Sequence, residues 1–286
     1  MNIKDLKTIA GERLGKVYEQ PELRFVIHTL LRHIADIPPY WYHTEEDHVF
    51  SPQVSTALEK AVTLLSEGVP LQYVTGVVEF GDCLISVNPG VLIPRPETEN
   101  LLRLASDCRG RILDACTGSG CLAVALKSGN PQNEVFACDL STVALETASE
   151  NAAVNNAEVT FFYTDITCVA RAVEDAFAAG IVPGSLDLLI SNPPYVTEKE
   201  KVLMKERVLH YEPYMALFVS DDDPLCFYRA LSQIGMRLLR KTGIMWLEIN
   251  ESYSIQIKDL LIRDGYGNIS VHKDFCDKPR FIEATR

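Results

Sequence analysis

The sequence predicts an α/β protein: a doubly wound parallel sheet preceded by a small helical bundle and a short β segment. Three observations carry this. From residue 111 onward, strand patterns alternate with helix patterns, the signature of parallel strands joined by helical crossovers. Residues 1–70 show helical periodicity alone. Between them, residues 71–93 change to β-branched and aromatic alternation interrupted by turn residues. At 286 residues the chain has room for one large domain and a smaller one.

The elements follow in order. "PELRFVIHTLLRHIADI" (21–37) carries apolar residues at Phe25, Ile27, Leu30, Leu31 and Ile34, close to a 3.6-residue stripe. "SPQVSTALEKAVTLLSEGVP" (51–70) opens with Ser51 as N-cap and Pro52 at the first helical position, and it stops at Gly68 before Pro70. "VVEFGDCLISVNPGVLI" (77–93) reads as a hairpin or two short strands. "RILDA" (111–115), "EVFACDL" (134–140), "EVTFFYTD" (158–165), "LDLLIS" (186–191) and "GIMWLEIN" (243–250) read as five strands of the sheet. "CLAVALKSG" (121–129) and "STVALETASENAAVN" (141–155) read as helices between them, the second capped by Ser141. "DDDPLCFYRALSQIGMRLLR" (221–240) reads as a long helix with Asp223 as cap and Pro224 in its first turn. "NISVHKD" (268–274) and "RFIEATR" (280–286) are expected to pair antiparallel at the end.

Composition narrows the function. Net charge is −12, with no basic run, so a phosphate-rich duplex is a poor partner. No apolar run reaches the ~20 residues of a membrane span. The N-terminal "MNIKDLKTIAGERLGKVYEQ" has no secretory apolar core. A cytoplasmic protein is expected. The eight cysteines form no C-x-x-C pair, which predicts small buried hydrophobes and no zinc or other metal site. His28, His33, His43 and His48 repeat no ligand spacing and are expected to be surface or satisfied side chains.

The chemistry-bearing stretch begins at "LDACTGSGCLAVAL" (113–126), between the first predicted sheet strand and its helix. In an open parallel sheet, ligands bind beyond the carboxyl ends of the strands, where strand order reverses. Gly118 and Gly120 allow backbone to approach a ligand and a helix to pack closely. A glycine-rich turn alone is equally a structural turn. Asp139, ending the second strand some 20–25 residues later, can take the ribose hydroxyls of an adenosine ligand. Asp165 at the third strand end can reach an adenine amino group. The loop lacks both the G-x-G-x-x-G spacing of dinucleotide folds and the G-K-[ST] of a phosphate loop. Three carboxylates, Asp114, Asp139 and Asp165, suit an adenosine with a cationic tail. S-adenosylmethionine, with a sulfonium and an ammonium, is such a ligand; S-adenosylhomocysteine would be its product.

"SNPPYV" (191–196) ends the fourth predicted strand beside that cleft. Pro193 and Pro194 have no N–H, so their backbone offers acceptor carbonyls only. Asn192 adds a side-chain oxygen, and Tyr195 a ring that can stack on a flat group. Two acceptors can hold both hydrogens of a planar –NH2, whose nitrogen is otherwise a poor nucleophile. Taken alone, Pro-Pro is also simply a strand stop.

"D-x-x-T-G-S-G" followed by "N-P-P-Y" resembles the class I S-adenosylmethionine-dependent methyltransferases that act on amino or amide nitrogens. Within them the chain is similar to the PrmC/HemK family of release factor glutamine N5-methyltransferases, through "PLQYVTGVVEF" (70–80), "VLIPRPETE" (91–99), "YEPYMALF" (211–218) and "LEIN" (247–250). The resemblance covers residues 70–286 well, and 1–70 in kind and position. It implies a Rossmann-like seven-stranded methyltransferase sheet with an N-terminal helical substrate-recognition domain at 1–72, a β-hairpin linker at 73–93 and a catalytic domain at 94–286. It implies that Asp114, Cys116, Thr117, Gly118, Ser119, Gly120, Asp139, Asp165, Ile166 and Asn192 bind the cofactor. Asn192, Pro193, Pro194 and Tyr195 would bind the substrate amide, with Asn192, Pro193 and Tyr195 catalytic. Arg95 and Glu97 would shape the cleft. The implied substrate is the glutamine of the Gly-Gly-Gln loop of peptide chain release factors, methylated by a monomer with no nucleic acid or membrane partner. Cys116 stands where many members carry Gly, "LEIN" replaces Leu-Glu-Ile-Gly, and "DFCDKPRF" keeps only the arginine of its family pattern. Two rival readings remain: an amino-group methyltransferase acting on rRNA or DNA, and a non-catalytic S-adenosylmethionine-binding module.

Overall fold

The computed structural model covers all residues, Met1–Arg286. The chain forms two compact units, one of residues 1–77 with 205–211, the other of 78–204 with 212–286.

The first unit is helical. Helices α1 (Ile3–Leu14), α2 (Gln20–His33), α3 (Trp41–Thr44), α4 (Pro52–Ser66) and α5 (Leu71–Thr75) surround a core that includes Leu6, Leu14, Leu30, Leu58 and Leu65. Asn2 and Asp5 cap α1 reciprocally, and the Ser51 hydroxyl accepts from the Val54 N–H at 3.3 Å, as its position predicts. The buried stripe of α2 is Leu23, Val26, Ile27, Leu30 and Leu31. Phe25, expected in that stripe, is 62% exposed, because it lies about 200° around the helix from Leu23. The helix also ends at His33, earlier than the periodicity suggests. His28 departs from expectation too: its Nε2 is buried without a partner, its ring lies edge-on to Tyr42 at 4.9 Å, and burial lowers its pKa.

The second unit is the layered α/β body. Strands β1 (Val77–Phe80) and β2 (Cys83–Ser86) form the expected hairpin. Helix α6 (Pro96–Ala105) follows; the sequence reading assigns no helix there. Then come β3 (Arg111–Ala115), α7 (Cys121–Gly129), β4 (Glu134–Asp139), α8 (Thr142–Val154), β5 (Val159–Tyr163), α9 (Val169–Ala178) and β6 (Leu186–Ser191). Two-residue strands β7 (Val196–Thr197) and β8 (Phe218–Val219) pair in parallel; between them in sequence come the short helices α10 (Glu206–Tyr211), which belongs to the first unit, and α11 (Tyr214–Leu217). The chain closes with α12 (Cys226–Leu238), β9 (Leu239–Glu248), α13 (Ser254–Asp264), β10 (Gly267–Lys273) and β11 (Pro279–Thr285).

The main sheet has seven strands in the order β10-β11-β9-β6-β3-β4-β5, and β11 runs against both its neighbours. Helices α6, α7 and α8 pack together on one side; α9, α12 and α13 pack together on the other. From the central β3 the chain moves first to β4 and β5, then returns to β6 and β9. The order reverses between β3 and β6, which is where such sheets open a ligand crevice.

The expected Asp223 cap is not formed. Helix α12 begins at Cys226 with no side-chain cap, and Asp223 instead holds the Arg229 guanidinium with both oxygens, at 2.8 and 3.0 Å. A bidentate charged pair outcompetes a single cap bond here.

Helix α8 ties the hairpin to the body through side chains. Asn151 is fully buried; its Nδ2 donates to the carbonyls of Ser86 (3.0 Å) and Ser119 (2.9 Å), and its Oδ1 accepts from the Ser86 N–H at 2.7 Å. Asn155 repeats the motif on Leu84 at the surface, at 2.8 and 3.1 Å. An Asn151→Ala change strands three backbone groups and is expected to cost about 3 kcal/mol in urea unfolding, against about 1 kcal/mol for Asn155→Ala. Equal losses would show that the buried bridge to Ser119 contributes nothing.

Candidate functional site

The site is built from the turns that follow β3, β4, β5 and β6. The turn after β3 crosses left-handed backbone three times, at Cys116 (φ 59°), Gly118 (φ 55°) and Gly120 (φ 78°). A Cβ at Gly120 would stand 2.8 Å from that of Ala148, so this glycine sets how closely α7 meets α8. Asp114 holds the turn from beneath. Its Oδ2 accepts from the Thr117 hydroxyl at 2.6 Å and from the Ala123 N–H at 3.2 Å. Its Oδ1 is buried with no partner. Burial pushes the Asp114 carboxyl up to about 7 against these two bonds.

Asp139, at the end of β4, closes the turn from the other side. Its Oδ2 accepts from the Gly118 N–H and its Oδ1 from the Ser141 N–H, each at 2.9 Å, and burial raises its pKa. Each oxygen keeps a lone pair for a further donor. Ser141 separately caps α8 through Ala144, as predicted. Asp165 lies two residues past β5, where its Oδ1 accepts from the N–H and hydroxyl of Thr167.

These turns enclose a cavity of about 320 Å³. Of the residues singled out in the sequence, Cys116, Thr117, Gly118, Ser119, Asp139, Asp165, Ile166, Asn192 and Pro194 line it. Asp114 and Gly120 lie behind the wall, Asp114 as the turn's anchor and Gly120 as its contact with α8. Apolar groups from Leu92, Leu122, Leu140 and Phe227 complete it. An apolar slot with carboxylates along one side, and a buried carboxylate oxygen still lacking a donor beneath it, fits an adenosine carrying a cationic tail. S-adenosylmethionine matches that donor and acceptor set. The thiols facing the cavity, Cys116 and Cys121, are pushed up by burial, Cys121 to about 12, and stay protonated. Cys168 and Cys276 are exposed, unlike the buried cysteines expected.

The far end of the cavity is the turn after β6. Ser191 locks β6 to β3 by donating to the Ala115 carbonyl at 2.6 Å. Asn192 follows. Its Nδ2 donates to the Thr98 hydroxyl at 3.0 Å, and Thr98 donates to Glu248 Oε2 at 2.9 Å. That leaves Asn192 Oδ1 unengaged beside the cavity. No backbone hydrogen bond ends on the carbonyls of Asn192, Pro193 or Pro194. Pro193 and Tyr195 do not line the cavity. Tyr195 packs its ring against the sheet core and donates its hydroxyl to Glu248 Oε1 at 2.9 Å, so the expected stacking face is not part of the wall.

Thr98, Glu248 and Glu212 are site residues the sequence reading passed over. Glu212 accepts from the Arg95 guanidinium at 2.6 Å and from the Ile93 N–H at 3.2 Å, joining "IPRPETE" to "YEPYMALF". The available signal was an acidic residue inside an apolar strand, "GIMWLEIN", since a buried carboxylate requires donors.

A family model described as PrmC N-terminal domain matches residues 6–76, and one described as Methyltransferase small domain matches 98–211. The release factor glutamine methyltransferase of Bacteroides thetaiotaomicron is 36% identical over 279 residues, spanning 96% of this chain and 97% of that protein. Its namesake from Flavobacterium psychrophilum is 33% identical over 99% of both chains. The chain belongs to the release factor glutamine methyltransferase family. Among solved structures, the hMettl16 catalytic domain in complex with the MAT2A 3'UTR hairpin 6 superposes with a TM-score of 0.53 over 81% of this chain and 80% of that one; at 11% identity it shows the shared fold alone.

Two departures from the family pattern now have structural readings. Cys116 adopts the left-handed backbone that glycine favours, at a cost of about 1 kcal/mol. Asn250 follows the strand "LEI". Its Nδ2 donates to the Tyr195 carbonyl at 3.1 Å and to Glu200, whose carboxylate accepts from the N–H and hydroxyl of Thr197 at 2.8 Å. Asn250 thus braces the turn from behind.

The raised Asp114 pKa gives a signed expectation. Its folded value of about 7 exceeds the unfolded value of about 4, so the folded state holds a proton that the unfolded state releases between those limits. Its contribution therefore turns unfavourable as pH rises from 5 to 8. Thermal melts of the ligand-free protein should show Asp114→Asn gaining on wild type across that range. A constant difference would contradict the assignment.

Proposed function

We propose that this chain transfers the methyl group of S-adenosylmethionine to the side-chain amide nitrogen (N5) of the Gly-Gly-Gln glutamine of peptide chain release factors. One observation carries the reading: at one end of an acid-lined cavity, Asn192 Oδ1 is an acceptor with no donor of its own, and no backbone donor reaches the carbonyls of Asn192 and Pro193 in the same turn. That set is complementary to the two hydrogens of a primary amide. The curated relatives, matched nearly end to end, support the release factor as the protein that bears this amide.

In this reading Asp139 and Asp165 hold the ribose and adenine, the 116–120 turn holds the amino-acid tail above Asp114, and Ile166 flanks the base. Bound there, S-adenosylmethionine supplies an electrophilic methyl on a sulfonium. Asn192 Oδ1 and the Pro193 carbonyl orient the glutamine –NH2 so that its nitrogen lone pair faces that methyl. Holding both hydrogens favours a pyramidal nitrogen as the N–C bond forms and the sulfonium S–C bond breaks, its electron pair staying on sulfur in S-adenosylhomocysteine; the surplus proton is then lost to solvent. Rate enhancement comes from orientation and preorganised dipoles, with no strong base at the start. Pro194 keeps the turn rigid, and Tyr195 fixes its outgoing end. Residues 1–72 act as the substrate-recognition domain, 73–93 as linker and 94–286 as the catalytic domain. The enzyme works as a cytoplasmic monomer on a protein substrate, without a nucleic acid or membrane partner; the net charge of −12 and the lack of any helix long and apolar enough to cross a membrane are consistent with this.

Purified protein with radiolabelled S-adenosylmethionine should label a release factor, and replacing the glutamine of its Gly-Gly-Gln motif should abolish the label. Labelling of rRNA or DNA instead would overturn the substrate. Asn192→Ala should lower turnover by about 100-fold or more while the cofactor dissociation constant stays within about threefold. Asp139→Ala should weaken cofactor binding, measured by calorimetry.

A further inference from the structure

We infer that Glu248, acting through the Thr98 hydroxyl, is the positioning residue that decides which end of the Asn192 amide faces the substrate. The inference rests on Asn192 holding the substrate amide.

The two ends of an asparagine amide have nearly the same shape but opposite hydrogen-bonding character. Turned by 180°, Asn192 would present –NH2 to the substrate –NH2, donor against donor. Packing alone does not choose between the two orientations; a fixed acceptor behind the residue does. Thr98 Oγ1 stands 3.0 Å from Asn192 Nδ2 and 2.9 Å from Glu248 Oε2. A hydroxyl has a single hydrogen, and an ionised carboxylate can only accept. The hydrogen of Thr98 therefore goes to Glu248, and its lone pairs are left to receive the Asn192 N–H. The relay has one direction while Glu248 is ionised, and that direction sends Asn192 Oδ1 toward the cavity. The other Glu248 oxygen receives the Tyr195 hydroxyl at 2.9 Å, so one carboxylate fixes both ends of residues 192–195.

The surroundings of Glu248 make the relay sensitive to protonation. The carboxylate is 1% exposed, and burial pushes it up to about 7. Its bonds from Thr98 and Tyr195 and the charge of Arg280 oppose that shift, and the charge of Glu97 adds to it. The Tyr228 hydroxyl, at 3.5 Å from the Glu248 carbonyl, and Tyr195 are held protonated by burial. A protonated Glu248 can donate to Thr98. The Thr98 hydrogen is then free to meet Asn192 Oδ1, which turns the amide to its unproductive face. Turnover should fall as pH drops through this range.

The test compares Thr98→Val, Thr98→Ser and Glu248→Gln in the full-length enzyme with a release factor substrate. Thr98→Val keeps the shape and removes the relay; kcat should fall about 10- to 100-fold, the equivalent of one misdirected hydrogen bond, with KM and cofactor affinity within about twofold. Thr98→Ser should recover to within about threefold of wild type. Glu248→Gln should lower kcat and lose the acid limb of the kcat–pH profile between pH 6 and 8. Wild-type kcat in Thr98→Val, a Thr98→Ser enzyme as impaired as Thr98→Val, or an unchanged acid limb in Glu248→Gln would each overturn the relay. An active Asn192→Ala enzyme would instead overturn the underlying amide clamp, so the two failures are distinct.

Discussion

The buried carboxylate of Glu248 is the constraint on which the reacting end depends. It sits at the end of β9, fully enclosed, and accepts two hydroxyl hydrogens from opposite sides. One comes from helix α6, 150 residues earlier in the chain, and the other from the turn that follows β6. Leaving such a group unpaired would cost several kcal/mol, so the native state keeps both hydroxyls on it. The Pro-Pro pair contributes stiffness and removes competing donors. The carboxylate contributes orientation. The partly exposed Arg95 guanidinium pairs with the buried Glu212 carboxylate and holds the start of α6 against the segment before α11, one turn from Thr98.

The cofactor end uses the same economy. Asp114 and Asp139 each serve the turn after β3 before any ligand is considered, one from beneath and one from the strand alongside. Their burial raises both pKa values, which means that the ligand-free cleft stores an electrostatic penalty. In the proposed complex a cation in the cavity, beside Asp139 and above Asp114, would relieve part of it.

The sheet was legible because its signals are local. Strands 111–115 and 186–191 and helix 121–129 coincide with the apolar runs and turn residues that announce them. The glycine turn, Asp139 and the Asn-Pro-Pro-Tyr segment could be placed at strand ends for a related reason: each directly follows or closes an apolar run, and the structure puts Cys116–Ser119, Asp139, Asn192 and Pro194 in one cavity wall. What escaped depends on partners far along the chain. Thr98 was in view inside "IPRPETE", yet its role needs Asn192, 94 residues on, and Glu248. Tyr195 looked like a stacking ring until Glu248 was seen to hold its hydroxyl. Asp223 looked like a cap until Arg229, six residues later, was seen to claim it. Helices 96–105, 169–178 and 254–264 went unassigned although each has an amphipathic face; the proline and acids opening the first, Pro96, Glu97 and Glu99, were the usable sign.

The central claim is geometric: the oxygen of Asn192 meets the nitrogen that is methylated. A crystal structure of the enzyme with S-adenosylhomocysteine and a Gly-Gly-Gln peptide tests it directly. The glutamine nitrogen should lie about 3 Å from both Asn192 Oδ1 and the Pro193 carbonyl oxygen, with Asn192 Nδ2 still on Thr98. A glutamine amide held by other groups, or an Asn192 turned away from Thr98 in that complex, would contradict the account.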